Sequence, residues 1–190
     1  MCIRDSNRDT VMSLAEKYLP NYTVEDYLRW EGDWELIEGI PFAMAPSPFA
    51  LHQRVSFLIA NQIDTQLEDC SKECKVFLEL DWIVNENTVV RPDVSVVCEK
   101  VEDFIKTTPK VIFEVVSRST AARDEQLKFE LYQREKVNYY GLVYPNLKKM
   151  RVFRLINNRY EKVFDSDRGS FSFELECPFT VNLDYLWRRI

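Results

Sequence analysis

Apolar positions along the chain change their period several times, and the changes mark its elements. After Gly32, the run Trp34-Glu35-Leu36-Ile37-Glu38, Gly39 and then residues 40–45 reads as two strands joined at a glycine. Leu51, Val55, Leu58, Ile59, Ile63 and Leu67 recur at helical spacing, in a helix that starts after the break at Pro46 and Pro48. Residues 76–84 and 89–97 read as strands about the polar turn Asn85-Glu86-Asn87. Residues 111–116 are almost wholly apolar with one acid inside, the pattern of a buried central strand. A helix is expected over 121–136, with Leu127, Leu131 and, on a neighbouring face, Phe129. A further apolar strand follows over 139–144. Residues 152–155 and 160–164 suggest a hairpin about Asn157-Asn158, and 171–175 a final strand. Upstream, residues 9–19 look helical up to Pro20, and Thr23 caps a short helix with Asp26 three residues on. The opening MCIRDS fits no structural pattern and is set aside. The pattern predicts an N-terminal segment, 1–22, and one mixed α/β domain, 23–190.

Length agrees with one domain, since 190 residues leave little for a second core. The composition, 46% hydrophobic and 13% aromatic, suffices for a packed interior. Four glycines (Gly32, Gly39, Gly141, Gly169) have neither the dinucleotide-fingerprint nor the P-loop spacing, and no GxSxG elbow occurs. Any Ser-His or Cys-His catalysis would have to use His52, the one histidine. A net charge of -6 argues against an architectural DNA binder but leaves room for a nuclease, whose metal pocket must itself be acidic. Five cysteines form no CxxC, and Cys70 and Cys74 have no second pair or nearby His to complete a zinc site. Reduced thiols in a cytoplasmic protein are the expectation. No secretory pattern and no apolar run of about 18 residues is present, so no membrane partner is expected.

Two acids occupy awkward positions. Asp93 follows Arg91-Pro92 and opens the apolar run Val94 to Val97; Glu114 lies inside Val-Ile-Phe-Glu-Val-Val. A buried carboxylate costs several kcal/mol unless it is paired or metal-bound. Either acid alone is as well explained by a salt bridge to Arg91, Arg118 or a lysine. Together, on neighbouring strands, they could converge on a hard divalent cation such as Mg²⁺. Asp124, Lys128 and Tyr132 are spaced i, i+4, i+8 along one helix face. Such a stripe is usually solvated, but beside the strand of Glu114 it would bring Lys128 to that carboxylate. A lysine there can orient a water or offset charge on a phosphate. His52 opens its helix, where a histidine is more often a cap or a surface residue. Glu35 and Glu38 fall on opposite faces of a regular strand, so at most one faces a common site.

Trp34-Glu35-Leu36-Ile37-Glu38-Gly39; Met44-Ala45-Pro46-Ser47-Pro48 with His52-Gln53; Arg91-Pro92-Asp93-Val94; Phe113-Glu114-Val115-Val116-Ser117 with Ser119-Thr120; Asp124, Lys128 and Tyr132; and Tyr139-Tyr140 with Pro145 follow one another in the order of one bacterial family. Over roughly residues 23–160 the chain resembles the Uma-type restriction endonucleases, a branch of the PD-(D/E)XK nuclease superfamily. No single element is specific; their order is. The usual superfamily lysine, two residues after the Glu, is here Val116. The chain is similar to members whose lysine has migrated to the next helix, at Lys128. The resemblance implies a restriction-endonuclease-like α/β fold with a mixed central sheet flanked by helices. It implies Asp93, Glu114 and the Val115 carbonyl as metal ligands, Lys128 as the catalytic lysine, and His52 with Glu38 (or Glu35) completing the pocket. Arg118, Ile40, Lys136, Gly141 and Tyr144 depart from the family's pattern, at loops and strand ends.

The function so implied is Mg²⁺- or Mn²⁺-dependent hydrolysis of phosphodiester bonds in DNA, by a possible two-fold homodimer. Two alternatives remain at this point: a nuclease fold that no longer cleaves and serves as a binding or assembly module, and an enzyme acting on RNA.

Overall fold

Where strand-forming residues are interrupted decides how the sheets of this protein divide. The computed structural model describes residues 18–44, 50–117 and 119–190. The helix expected over 9–19 falls almost wholly outside them, as do Pro46, Pro48 and Arg118. The first described helix is α1 (Val24–Tyr27). Its cap is reciprocal: the Asp26 amide donates to Thr23 Oγ1 at 3.3 Å, and the Thr23 amide donates to Asp26 Oδ2 at 2.9 Å. Then β1 (Trp34–Ile37) and β2 (Ile40–Ala43) form an antiparallel hairpin. Its two turn residues, Glu38 and Gly39, both have positive φ, 52° and 79°, as a tight two-residue turn requires. The long helix α2 (Ala50–Leu67) follows.

The two strands expected over 76–84 and 89–97 are each broken in two. They become β3 (Lys75–Leu78) and β4 (Trp82–Asn85), then β5 (Thr88–Val90) and β6 (Val94–Val97). Glu79 turns the chain at φ 48°, and Pro92 lacks the amide that a continuous ladder needs. The outer halves, β4 and β5, join the hairpin in a four-stranded sheet of order β2-β1-β5-β4, while β3 and β6 enter a six-stranded one. Ion pairs pin the crossing. Arg91 Nε donates to Asp81 at 2.6 Å, its Nη1 to Asp33 at 2.7 Å, and Tyr27 Oη donates to Asp81 at 2.8 Å.

The six-stranded sheet is completed by β7 (Val111–Val115), β8 (Tyr139–Tyr144), β9 (Lys149–Ile156) and β10 (Arg159–Ser166), in the order β10-β9-β8-β7-β6-β3. Only β7 and β8 run parallel in it. The connection between these two holds a π-helical turn, Arg123–Leu127, and then α3 (Lys128–Arg134), in place of the regular helix expected over 121–136. The β9–β10 hairpin turns at Asn157 and Asn158, both with positive φ. The strand expected over 171–175 is β11 (Ser170–Phe173), and it pairs with β12 (Phe179–Asn182), which the sequence pattern did not signal. A last helix, α4 (Leu183–Arg188), is capped by Asn182.

Alternation along β7 sorts its residues between two cores. Phe113 and Val115 pack with Val55, Leu58, Ile59 and Ile63 of α2. Ile112 packs with Leu131 and Tyr132 of α3, Tyr140 and Leu142 of β8, and Trp82 of the small sheet. Glu114 shares the parity of Ile112, so it opens toward α3. Gly141 is enforced by contact, because a Cβ there would come within 2.3 Å of the Phe113 ring.

The cysteine expectation needs correction. Disulfides join Cys70 to Cys177 and Cys74 to Cys98. The β3–β6 register pairs Lys75 with Val97, which makes Cys74 and Cys98 the next cross-strand neighbours, 3.8 Å apart at Cα. The loop between β11 and β12 carries Cys177 to the end of α2. No helix among the described residues is long and apolar enough to cross a membrane.

Two outcomes follow. Alkylation of the denatured, unreduced protein should leave Cys70, Cys74, Cys98 and Cys177 unlabelled, and label all four after reduction; labels on these four without reductant would refute the pairing. Lys136 closes α3 at φ 64°, with the Val137 amide donating to Tyr132 O and the Lys136 amide to Gln133 O. This double bond pattern favours glycine at the left-handed position. Lys136→Gly should therefore stabilise the fold by about 1 kcal/mol in urea unfolding, since a left-handed L-residue costs roughly 1–2 kcal/mol.

Candidate active site

The strand parity that turns Glu114 toward α3 leaves its carboxylate fully buried, and two elements, α3 and β1, meet it there. Lys128 Nζ, at the start of α3, lies 2.9 Å from Glu114 Oε1 and 2.7 Å from Glu35 Oε1 of β1. Tyr132 Oη, one turn on, donates to Glu114 at 2.8 Å. The face Asp124-Lys128-Tyr132 thus looks inward. All three residues are buried, and the π-helical turn adds a further residue to their face. Its widened bond runs from the Lys128 amide to the Arg123 carbonyl, so the residues four and five positions before Lys128 both come round to the site. Asp124 lies within charge range of Lys128. Arg123 Nη1 donates to Glu35 Oε2 at 3.1 Å and its Nη2 to Ala43 O at 3.2 Å, with the guanidinium over the Phe42 ring.

Asp93 completes the group from the break between β5 and β6. Its Oδ2 accepts the Val115 amide at 2.6 Å and stands 3.1 Å from His52 Nε2. The opposite ring nitrogen of His52, Nδ1, is buried without a hydrogen-bond partner among the described residues. The structure therefore brings Asp93, Glu114, Val115, Lys128 and His52 to one place. Glu38 is not with them. As a turn residue it escapes the strand's alternation, is exposed, and pairs with Arg134 on the outside. Glu35, which the Arg91 amide also contacts at 3.0 Å, is the acid of this pair that enters the site.

The cluster carries more negative charge than it can neutralise. Burial, reinforced by Asp93, Asp124 and Glu35, pushes the Glu114 carboxyl well above the usual range against the pull of Lys128. Burial likewise raises Asp124 to about 6, opposed by Lys128 and Thr120. For Lys128 burial works downward, but Glu114, Glu35 and Asp124 outweigh it and hold the ammonium charged. Burial also lowers His52, and Asp93 more than reverses this, leaving the ring above its ordinary value. Among the described residues no three His, Cys, Asp or Glu side chains are already spaced as a metal site. Two carboxylates with a main-chain carbonyl still suit Mg²⁺, which keeps several waters and takes one or two acidic ligands. The unneutralised charge around Glu114 fits a cation of that kind.

The model of the Uma2 family, described as "Putative restriction endonuclease", matches residues 24–183. The chain belongs to the Uma2 family. Two uncharacterized proteins of Synechocystis sp. are similar to it. One is 34% identical over 127 residues, covering 60% of this chain and 63% of that protein; the other is 30% identical over 122 residues, covering 58% and 67%. The match to the first thus spans a little under two thirds of its length. A crystal structure of a "putative nuclease belonging to DUF820" from Anabaena variabilis is 15% identical, with a TM-score of 0.71 over 88% of this chain and 98% of that one. That likeness establishes the restriction-endonuclease-like α/β fold.

Within this Uma2 chain, spacing flagged Asp124 and Tyr132 as neighbours of Lys128 but not their burial. Arg123 gave no signal, because its inward direction depends on the π turn. Asp124 also sets a pH dependence. A carboxyl whose folded pKa is raised from 3.8 to about 6 contributes stability in acid and loses it as pH rises through that window. The loss is about 3 kcal/mol at 1.36 kcal/mol per pH unit. In EDTA, urea midpoints of the wild type should fall between pH 4 and 7, and Asp124→Asn should flatten that fall. An unchanged slope in the variant would contradict the assignment.

Proposed function

We propose that this protein is a Mg²⁺- or Mn²⁺-dependent endonuclease that hydrolyses phosphodiester bonds in DNA, carried by residues 23–190 as one domain. The observation that carries the reading is the Lys128 ammonium held between Glu114 and Glu35, with Asp93 hydrogen-bonded to the residue after Glu114. Asp93, Glu114 and the Val115 carbonyl are the ligands in this reading. A divalent ion bound there supplies polarisation of a phosphate oxygen and a more acidic water. Lys128, kept charged by its acids, orients that water or steadies the charge that builds on the phosphate. Glu35, fixed by Arg123 and the Arg91 amide, holds the lysine in place. In this reading His52, paired with Asp93, delivers a proton to the leaving oxygen or serves as a further ligand. Cutting both strands calls for paired sites, so the proposal includes a two-fold dimer, visible as doubled mass in light scattering at micromolar concentration.

The cytoplasmic location belongs to the same proposal, and the two disulfides oppose it, because reducing compartments keep thiols open. The alkylation count on protein taken directly from cells decides the point. The second reading, a non-cleaving binding module, is favoured by the absence of a preformed three-side-chain metal cluster among the described residues.

Calorimetric titration of Mn²⁺ and Mg²⁺ separates the readings without any substrate. Glu114→Gln and Asp93→Asn should each weaken metal binding at least tenfold and abolish cleavage of plasmid DNA. Lys128→Ala should keep metal binding and lower cleavage by about 10²–10⁴. It should also lose about 3–5 kcal/mol of stability in the metal-free protein, because Glu35 and Glu114 remain buried without their cation. Wild type that binds no divalent ion would leave the binding module.

A further inference from the structure

The register of the six-stranded sheet lines up a charged row beginning at Glu114. Glu114 pairs with Leu142, Leu142 with Arg151, and Arg151 with Asp165. Lateral neighbours in a sheet share a face, so Arg151 and Asp165 lie on the same face as Glu114, two and three strands away. At about 4.8 Å per strand they stand roughly 10 and 14 Å from it. The same parity puts Lys149, opposite Tyr144, and Lys162, opposite Phe153, on this face. Three cations surround a single acid there. Lys149 Nζ and Lys162 Nζ are each 2.8 Å from an oxygen of Asp165, and Arg151 Nε is 3.5 Å from it. Lys149 and Lys162 hold the Asp165 carboxyl down to about 2.

Arg151 is held loosely. Its Nη1 reaches Tyr144 Oη only at 3.3 Å, its buried Nε has no hydrogen-bond partner among the described residues, and its guanidinium lies over the Tyr144 ring. Tyr144 Oη in turn donates to Glu125 at 2.7 Å, next to Asp124, which ties the row to the rim of the acid-lysine cluster. Exposed Lys148 adds a fourth cation at the turn into β9. A chain of net charge -6 thus gathers four cations against Asp165 and Glu125 beside its acidic pocket.

We propose that the β9–β10 face formed by Lys149, Arg151 and Lys162, with Lys148 at the turn beside it, is a rail for the phosphate backbone of DNA, leading one strand toward Glu114 and Lys128. The inference rests on the nuclease reading and names the surface that would hold its substrate. Phosphate contacts of this kind fix register without reading sequence. Asp165 keeps the cations in place without substrate and is the group the backbone displaces.

Anisotropy of a labelled duplex oligonucleotide, with Ca²⁺ in place of Mg²⁺, tests it across about 0.05–0.2 M salt. Lys148→Gln/Lys149→Gln/Lys162→Gln should weaken binding about tenfold or more at 0.1 M salt. It should also flatten the log K against log salt slope by about 2–3, since each lost phosphate contact removes about 0.9. Asp165→Asn should tighten binding. Lys72→Gln/Lys100→Gln, at the opposite end of β3 and β6, should change neither quantity, and thermal melts monitored by circular dichroism confirm that each variant is folded. A wild-type slope that survives the triple change overturns the rail and leaves the nuclease reading intact. Tighter binding of an RNA strand through the same lysines overturns the assignment to DNA. Wild type that takes up metal at Glu114 but binds no duplex also overturns the rail, whereas wild type that takes up no metal sinks the nuclease reading itself.

Discussion

One ammonium group between two buried carboxylates is the constraint around which the rest is arranged. Lys128 bridges Glu35 and Glu114, from strands in different sheets, and each of the three is at most 3% exposed. Charges so placed are tolerable only with close partners, and removing one strands the others. The two sheets and α3 must therefore meet at one point with little freedom. The π turn serves this requirement by adding Arg123 against Glu35 and Asp124 beside Lys128. The geometry satisfies Lys128 fully and its acids only in part. That imbalance is why burial can raise Glu114 and Asp124 while Lys128 stays charged.

The junction depends equally on the tripeptide Arg91-Pro92-Asp93. Pro92 ends the ladder of the small sheet. Arg91 ties that sheet to α1 through Asp81, Asp33 and Tyr27, and its amide fixes Glu35. Asp93, whose carbonyl still accepts the Glu79 amide at 3.3 Å, turns its carboxylate to the Val115 amide and to His52. A continuous strand here would have left the two sheets as one. The break costs a few ladder bonds and supplies both the pin and the acid.

Charge is distributed in a way the overall composition conceals. The acidic excess is partly concentrated in the buried cluster, where Lys128, Arg123 and His52 answer it. On the same sheet face, two strands on, the β9–β10 hairpin reverses the sign. A short distance along one sheet separates a pocket suited to cations from a surface suited to anions. Both follow from strand register, since Glu114, Arg151 and Asp165 occupy one row.

Local pattern by itself determined the elements whose cause is local. The acid inside the apolar run 111–116 marked a buried strand, the i, i+4, i+8 spacing put Asp124, Lys128 and Tyr132 on one face, and Asn157-Asn158 marked a tight turn. The ordered motifs also identified the family and its fold. Tertiary structure decided the rest. Glu35 rather than Glu38 enters the site, because the packing of the two sheets turns the Glu35 face of β1 toward α3 and leaves Glu38 in the exposed hairpin turn. Two long strands became four, because Glu79 adopts positive φ and Pro92 cannot donate, and only the packing of two sheets rewards the break. Cys70 and Cys74 found Cys177 and Cys98 through strand register and a returning loop, partners 107 and 24 residues away. Arg123 and the cation row on β9–β10 escaped notice because a π turn and a cross-strand row join residues that share no local period.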